Sequence, residues 1–483
     1  MSLKKKALGG VLWTLGQQMS VQGINFLVQI MLARLLLPEA FGLIAMIQIF
    51  LAIGTALMDS GMTSSLIRTR EADQRDYSTV FFMNICSSVF LYAIVYFSAP
   101  VISVFFEQPQ LILIIRVYCT SFIIQALVAV QSTRLTKEMN FKLQMYMQIP
   151  ASIFGGLTGV LLAYNGFGVW SLVWMHIITT FLFMIQHWFR TEWKPTLVFD
   201  KAKFRYHFNF GYKITFSALL TTLYTNSYTL IIAKMFSVSQ LGFYNQADTL
   251  RMFPVKNLTT ALQKVTFPLF SAIQNDNERL RTVFAKITAL VFFIVYPVML
   301  VLFIVAEPLF RIVLTEKWVP AVPYFRFLCI IAIVYPISMY NLNVILAKGR
   351  SDLHLKLEFW KKGCSILSLF LIIPYGIWGV IYASAISMLI HASFNAYFSG
   401  KLMNYSILNQ FKDIAPIIFV GGSALCIVLA INSLFLGGYL INDFAIVASS
   451  TAIYMTLYIL ISLLVRIPAV FEVKQILNLI KDR

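Results

Sequence analysis

Apolar segments of bilayer-spanning length recur along the chain from about residue 10 to residue 466, with short polar connections between them. A membrane helix needs about 20 mostly apolar residues, so each segment predicts one transmembrane helix. We predict about fourteen spans: 10–33, 39–60, 78–98, 111–131, 146–164, 168–188, 210–235, 251–272, 283–305, 324–346, 357–374, 376–398, 413–435 and 443–465. Span 251–272 is weakly apolar, but leaving it out would invert every later connection.

Lysines and arginines concentrate in every second connection. If Lys4, Lys5 and Lys6 are cytoplasmic, 28 of the 38 cations fall on that side and 7 on the other. The remaining 3, Lys213, Lys256 and Lys264, lie inside apolar segments. This alternation follows the positive-inside rule and supports both the number of spans and their orientation. We therefore expect a multi-pass membrane protein with both termini in the cytoplasm.

The composition excludes an ordinary soluble protein, because 59% of the residues are hydrophobic and only 12% are charged. The cytoplasmic connections account for the net charge of +18 without a nucleic-acid partner. The connections are too short for a soluble catalytic domain. The sequence has no GxSxG, HExxH or Walker motif, and its five histidines lack metal-ligand spacing. We expect no enzymatic activity, metal or cofactor.

An internal repeat lies at an offset of 200 residues. Residues 33–44 match residues 233–244 at the pairs Ala33/Ala233, Arg34/Lys234, Phe41/Leu241 and Gly42/Gly242. Chance similarity is the alternative for so short a match. Six spans separate the copies, an even number, so both have the same orientation and a pseudo-two-fold axis along the membrane normal relates them. We predict an all-α fold of two six-helix lobes, 1–190 and 191–405, followed by two further helices and a tail at 406–483.

Span 1 carries four amides on one face. Taken at about 100° per residue, they fall within an arc of roughly 60°: Gln18, Gln22, Asn25 and Gln29. An amide that faces lipid is costly, so the stripe faces protein or water. Helix–helix hydrogen bonding is one interpretation and a hydrated cavity is the other. In the second copy, Thr222, Thr225 and Thr229 occupy the positions of the last three.

Span 8 places two lysines inside the membrane. Lys256, Thr260, Gln263 and Lys264 share an arc of roughly 100°. A lysine at the bilayer centre costs about 3 kcal/mol or more. Two on one face indicate a hydrated cleft for an anionic ligand. The alternative is that the side chains extend to the membrane surface, which suits Lys256 better than the deeper Lys264.

Two further groups of residues complete the candidate site. Arg34, Lys234 and Arg251 lie near the predicted outer ends of spans, where they either close an outward gate or anchor at lipid headgroups. Span 10 carries Tyr340 and Asn341 close to Pro336, which predicts a polar, kinked helix that lines the same cavity or acts as a hinge.

Six segments resemble a known family: ARLLLPEAFGLIAM (33–46), DSGMTSSLIR (59–68), NFGYKITFS (209–217), VKNLTTALQKVTFPLF (255–270), EKWVPAVPYFRFL (316–328) and AKGRSDLHLKLEFWKK (347–362). Over about residues 1–405 the chain resembles the colanic-acid-exporter branch of bacterial polysaccharide flippases. These belong to the multidrug/oligosaccharidyl-lipid/polysaccharide exporter superfamily. The resemblance implies a V-shaped pair of lobes around a central cavity, with alternating access to the two sides of the bacterial inner membrane.

The resemblance also implies a substrate. It is an oligosaccharide on undecaprenyl pyrophosphate, moved from the cytoplasmic to the periplasmic leaflet for exopolysaccharide or lipopolysaccharide synthesis. Its pyrophosphate suits Lys256 and Lys264. Its sugars suit amides, hydroxyls and aromatic rings: Gln22, Asn25, Thr225, Asn226, Tyr340 and Asn341. With no ATP site, the energy comes from an ion gradient (a proton or sodium ion), the membrane potential or consumption of the product.

Three alternatives stay open. A cation-coupled drug antiporter of the same superfamily needs an acid in the first lobe, but the first acid here is Glu39, beyond span 1, and the charges inside spans are lysines. A lipid-II-type flippase shares the architecture, and only the motifs separate it. A membrane polysaccharide polymerase expects a large outer loop, which the segment between spans 9 and 10 does not provide.

Overall fold

The computed structural model describes residues 3–69, 71–436 and 442–472. Within these ranges it describes all side chains except those of residues 3–15, 17, 258, 260–262, 264–265 and 435–436. The described residues form helices and connections, and none of them is in a β-strand. This agrees with the predicted all-α membrane fold.

Eighteen α-helices make up the described chain. The first nine are α1 (Leu3–Leu35), α2 (Pro38–Asp59), α3 (Met62–Arg68), α4 (Gln74–Phe106), α5 (Leu111–Tyr118), α6 (Ser121–Lys137), α7 (Phe141–Tyr164), α8 (Val169–Arg190) and α9 (Lys201–Met235). The others are α10 (Val238–Ala272), α11 (Asn277–Ile304), α12 (Ala306–Val313), α13 (Val322–Ala332), α14 (Tyr335–Ala347), α15 (Ser351–Ile372), α16 (Gly376–Met403), α17 (Ile407–Ile431) and α18 (Asp443–Leu464).

Within the described ranges, ten helical segments are long and apolar enough to cross a membrane. One of the ten, Ser351–Met403, contains both α15 and α16. The long helices α1, α9 and α10, of 33, 35 and 35 residues, are more polar and are not among the ten. All three were predicted as spans, and the one in α10 was kept despite its weak hydropathy because of the alternating charges. The count of fourteen stays a prediction, and these helices are long enough to satisfy it.

Two predicted spans are broken helices. Span 111–131 consists of α5 and α6, which meet at Cys119–Thr120, and span 324–346 consists of α13 and α14, which meet at Ile333–Val334. Pro336 lies in the first turn of α14, where its missing N–H is no loss. Both are the fourth span of a predicted six-span copy. The kink in the second was predicted from its proline, whereas the break in the first has no proline to signal it.

The chain divides into two compact units, Met1–Gly242 and Phe243–Arg483. The division falls inside α10, so α9 belongs to the first unit although the repeat assigns it to the second lobe. The lobe limits at 190 and 405 remain predictions about the duplication.

A buried polar network ties α9 to the first unit. Asp76, in a capping box at the start of α4, accepts hydrogen bonds from Lys203 Nζ (2.9 Å) and His207 Nε2 (3.0 Å). In the matching tautomer, His207 Nδ1 accepts from Ser65 Oγ at 2.8 Å. The bond to Asp76 raises the pKa of the Lys203 ammonium. Since His207 and Asp76 are fully buried, the network satisfies groups that have no access to water.

In the second unit, α17 and α18 pack against α11. The core there contains Val291, Val420 and Tyr458. The Tyr458 hydroxyl donates to Phe293 O at 3.0 Å, and the Tyr296 hydroxyl donates to Ile418 O at 3.2 Å. Each phenol hydroxyl thereby donates its hydrogen to a backbone carbonyl in an otherwise apolar interior. The two C-terminal helices, predicted as a separate segment, contribute to the core of the second unit.

Replacing His207 should destabilise the first unit. His207→Leu leaves the buried Asp76 and Ser65 without one partner each, which should lower the free energy of unfolding by about 1–3 kcal/mol. Thermal unfolding of the purified protein measures the effect. Arg205→Gln, at an exposed position of the same helix, is the control and should unfold as the wild type does. Equal unfolding temperatures for His207→Leu and the control would contradict the proposed role of the network.

Candidate functional site

The first turn of α2, after its connection to α1, contacts the first turn of α10, after its connection to α9. A Cβ on Gly42 would lie 2.1 Å from Val238 O, and a Cβ on Gly242 would lie 2.1 Å from Pro38 O. Only glycine permits this approach. Gly42 and Gly242, like Pro38 and Val238, are 200 residues apart, so the contact is reciprocal, as it is across a two-fold axis. This geometry supports the duplication that the sequence predicts.

A third pair from the same turns is also 200 residues apart. Ser239 Oγ donates a hydrogen bond to Glu39 Oε1. Near it, the predicted gate residue Lys234 donates to Glu107 Oε1 at 3.1 Å and to Phe105 O at 2.7 Å. The ion pair is exposed and contributes little by itself. These bonds hold the end of α9 against the end of α4.

The other two predicted gate residues differ in surroundings. Arg34, in the first unit, is exposed. Arg251, in the second unit, is half-buried and forms an ion pair with Asp248 at 2.5 Å, while its Nη1 donates to Leu328 O at 3.4 Å. Arg251 is thus engaged within its own unit. The gate role of all three stays a prediction.

The amide stripe of α1 is not buried. α1 packs along α7, where Val28 lies against Gly156. Three of its four amides are exposed and the fourth is half-buried: Gln18, Gln22, Asn25 and Gln29. Amides exposed at membrane depth, such as Gln22 and Asn25, need water, which favours the hydrated-cavity interpretation for these two. Thr225 is likewise exposed on α9.

The first unit contains a polar cavity of about 440 Å³. Helices α2, α6, α7 and α8 and the start of α3 surround it. Among the described residues its polar lining consists of Asp59, Thr63, Gln125, Ser132, Thr133, Gln148, Thr179 and Thr180. Asp59 is the one charged group in that lining. The cavity can therefore supply many hydrogen-bond partners but very little charge.

A second cavity of about 390 Å³ adjoins the first, since Gln125 lines both. It contains Gln48, Thr55 and the predicted site residue Asn226, and the ring of His176 stacks on Tyr118 with centroids 4.5 Å apart. Among the predicted site residues whose side chains the structure describes, Asn226 is the one that lines these cavities. Polar positions in or next to spans 4 and 6, such as Gln125, Ser132 and Thr179, are the feature of the sequence that could have predicted these cavities.

The second unit carries the predicted cationic face on α10. Lys256 is exposed, and no carboxylate among the described residues forms an ion pair with it. Gln263 Nε2 donates to Asn343 Oδ1 of α14 at 3.1 Å. The side chains of Thr260 and Lys264 lie outside the described part of the structure, although their backbone belongs to α10.

Tyr340 and Asn341 are fully buried in the second unit. Asn341 Nδ2 donates to Ile337 O at 2.9 Å, and its Oδ1 accepts from Ser399 Oγ of α16. In this conformation neither residue is accessible to a ligand. Their contact with substrate stays a prediction, which requires α14 to move.

A buried lysine in the second unit escaped the sequence analysis. Lys361 of α15 is only 2% exposed; its Nζ lies 2.5 Å from Glu358 Oε1 and donates to Asn395 Oδ1 at 3.2 Å. Asn395 Nδ2 donates in turn to Ser338 O of α14 at 3.1 Å. A lysine inside a membrane bundle needs such partners. In the sequence, Lys361 lies close to the start of its span and so is indistinguishable from a residue of the preceding cytoplasmic connection.

The described residues contain no group of three or more histidine, cysteine or acidic side chains placed to hold a metal ion.

Known structures share this fold. The chain aligns with "Lipid II flippase MurJ, inward closed conformation" over 94% of its own length and 99% of that chain, with a TM-score of 0.72 and 16% identity. A multidrug resistance MATE family transporter of the MOP superfamily, in an inward-facing conformation, aligns over 79% of this chain and 95% of its own, with a TM-score of 0.56. At these identities the likeness establishes a multi-pass membrane transporter fold.

Sequence relatives identify the family of this chain more specifically than the structural comparisons do. Teichuronic acid biosynthesis protein TuaB of Bacillus subtilis (strain 168) is 26% identical over 374 residues, 76% of each chain. Lipopolysaccharide biosynthesis protein WzxC of Escherichia coli (strain K12) is 25% identical over 426 residues, 86% of this chain and 83% of its own. Residues 31–323 match the family described as "Polysaccharide biosynthesis protein". That match covers more than half of the chain, which therefore belongs to this family of polysaccharide biosynthesis membrane proteins.

Proposed function

We propose that this protein is a flippase for oligosaccharide repeat units carried on undecaprenyl pyrophosphate. It moves them from the cytoplasmic to the periplasmic leaflet of a bacterial inner membrane, for exopolysaccharide or lipopolysaccharide synthesis. Both termini lie in the cytoplasm, as the distribution of lysine and arginine predicts. Transport proceeds by alternating access, and no chemical bond of the substrate changes.

The observation that carries the proposal is the family match over residues 31–323, joined to polar groups inside a membrane fold. Relatives of this chain act in teichuronic acid and lipopolysaccharide biosynthesis, as their names state. Such polymers are assembled outside the membrane from units made inside it. A membrane protein with short connections and polar internal surfaces suits the step that moves the unit across.

The lining of the first unit, in which Asp59 is the one charged group among the described residues, suits sugars. A sugar presents many hydroxyls, and the amides and hydroxyls around Gln125, Gln148 and Asn226 can pair with them. Tyr118 and Phe183 add aromatic surface for the apolar faces of sugar rings. The exposed amides of α1, Gln22 and Asn25 among them, extend this polar surface. We assign the glycan to these groups.

The pyrophosphate requires cations instead. Lys256 is exposed on α10 and has no carboxylate partner among the described residues, so its ammonium is available to an anion. Lys264 follows it by two turns of the same helix. Hydrogen bonds between an ammonium and a phosphate are charge-assisted and stronger than neutral ones. We assign the pyrophosphate to this pair.

One observation favours a second function. The sequence argument against a cation-coupled drug antiporter was the lack of an acid inside the first lobe, yet Asp59 lines a cavity of the first unit. The likeness to a multidrug transporter establishes the fold alone. The family match and the lysines of α10 favour the anionic lipid-linked substrate.

Removing the α10 lysines should impair transport. Each lost charge-assisted hydrogen bond costs about 1.5–3 kcal/mol, which corresponds to roughly tenfold or more in affinity. Lys256→Ala together with Lys264→Ala should therefore weaken binding of an undecaprenyl-pyrophosphate-linked oligosaccharide and slow its translocation in proteoliposomes. Lys412→Ala, at an exposed position of α17, is the control, and Lys256→Arg should retain most of the activity. A double variant as active as the control would assign both lysines a structural role.

The reciprocal glycine contact should act as a gate during alternating access. Gly42→Ala places a methyl group within 2.1 Å of Val238 O, so it should hold the two turns apart. In a cysteine-free background with Ser239→Cys, we expect faster labelling from the outer side by an impermeant maleimide, together with slower translocation. Gly363→Ala, where a Cβ meets nothing within 4 Å, is the matched control. Unchanged labelling and transport in Gly42→Ala would show that the turns need not touch.

A further inference from the structure

We propose that the two adjoining cavities of the first unit select uncharged sugars and exclude sugars that carry a carboxylate, such as uronic acids. The inference rests on the proposed function, in which these cavities hold the glycan of the substrate, and it names the class of sugar that they accept. The cavities measure about 440 Å³ and 390 Å³, which is in the range of small-molecule binding sites, and Gln125 lines both.

The threonine hydroxyls of the two linings are oriented to accept hydrogen bonds. Each of four hydroxyls donates its hydrogen to the backbone carbonyl four residues earlier, at 2.7–2.9 Å: Thr55, Thr133, Thr179 and Thr180. A hydroxyl that has donated its one hydrogen presents lone pairs to a ligand. These positions therefore suit a ligand that donates hydrogen bonds, as the hydroxyls of a sugar do.

Two amides of the linings also have oxygens available to a ligand. Asn226 Nδ2 donates to Thr222 O at 2.8 Å, and Gln148 Nε2 donates to Ser152 Oγ at 3.4 Å. Each amide thereby uses a hydrogen within its own helix, while its oxygen can still accept. The amides and the threonines together make the cavities richer in acceptors than in donors.

The charge of the linings has the same consequence. No lysine or arginine is among the described residues that line either cavity, and the one carboxylate there is that of Asp59. Its hydrogen bonds come from Thr63 Oγ1 (2.8 Å) and Thr63 N (3.3 Å), which are uncharged groups. A uronic acid is ionised at neutral pH and its carboxylate can only accept hydrogen bonds. It would meet acceptor oxygens and a like charge, whereas an uncharged sugar would meet partners for its hydroxyls.

The smaller cavity adds a group that pairs with a hydroxyl. The rings of His176 and Tyr118 stack there, with an interplanar angle of 16°. His176 Nε2 is buried and has no hydrogen-bond partner among the described residues. A neutral imidazole nitrogen either donates or accepts, and a hydroxyl can do both, so a sugar hydroxyl satisfies Nε2 in either tautomer. The stacked rings supply apolar surface beside it.

A matched pair of substrates tests the inference. Two undecaprenyl-pyrophosphate-linked disaccharides differ only at the exocyclic carbon of the distal sugar, which is glucose in one and glucuronic acid in the other. Purified full-length protein in detergent micelles is equilibrated with an equimolar mixture and reisolated, and the bound glycans are quantified by mass spectrometry. We expect the glucose form to be bound in about tenfold excess or more, because like charges placed together are strongly unfavourable.

Two variants should narrow this ratio by different routes. Gln125→Arg places a cation where the two cavities meet, so it should strengthen binding of the glucuronic acid form. Gln110→Arg, at an exposed position outside both linings, is the matched control and should keep the wild-type ratio. Asp59→Asn removes the like charge and keeps an acceptor oxygen for Thr63, so it tests the inference independently if Gln125→Arg does not fold.

Equal binding of the two glycans by the wild type would overturn the selectivity, and so would a ratio that neither folded variant changes. Failure of the wild type to bind either glycan would reject both the selectivity and the assignment of the glycan to these cavities. Selective binding without translocation in proteoliposomes would retain the selectivity and reject the flippase. Translocation of both glycans at equal rates would retain the flippase and reject the selectivity.

Discussion

The interior of a bilayer offers no water to pair with polar groups, and this constraint decides where each polar side chain of this protein lies. Buried phenols such as Tyr458 donate to backbone carbonyls, and the buried Lys361 is held by Glu358 and Asn395. The groups that lack such partners are the informative ones. Lys256 in the second unit is exposed and has no ion-pair partner among the described residues, and it is the charge that we assign to a ligand.

The two units consequently offer different chemistry. The first presents amides, hydroxyls and one carboxylate around its cavities, whereas α10 of the second presents the exposed Lys256. A lipid-linked oligosaccharide has the same division, because its sugars are rich in hydroxyls and its pyrophosphate is anionic. In the predicted duplication, the positions equivalent to Lys256 and Lys264 in the first copy are Ala56 and Ser64. The chemical difference between the two units therefore comes from their side chains and not from the helices that carry them.

Much of the architecture followed from the sequence because its causes are local. Apolar length predicted most of the spans, and the alternating cations kept the weakly apolar α10 among them. A 12-residue match located the two segments that contact one another through Gly42 and Gly242. The break between α5 and α6 was missed because no proline or glycine stands there.

The candidate site was less predictable, because a polar residue in an apolar helix does not reveal which neighbour it faces. Asn341 was expected to line a cavity, but it pairs with Ser399 in the interior of the second unit. Gln125 and Thr179, which line a cavity, were not predicted as site residues, because single amides and hydroxyls commonly form hydrogen bonds between packed helices. Only the packing of α2, α6, α7 and α8 distinguishes these cases. Lys361 was misplaced for the same reason, since its burial depends on α14 and α16.

The most direct measurement is translocation by the wild-type protein alone. Proteoliposomes with a fluorescent undecaprenyl-pyrophosphate-linked oligosaccharide in both leaflets are treated with an impermeant quencher, and the fraction that becomes accessible is followed over time. If the protein is a flippase of this class, nearly all of the fluorescence is quenched. In protein-free liposomes, quenching stops once the half of the fluorophore in the outer leaflet has been quenched. Quenching that stops at the same level with and without the protein, for several glycans and with an imposed sodium gradient, would contradict the flippase function.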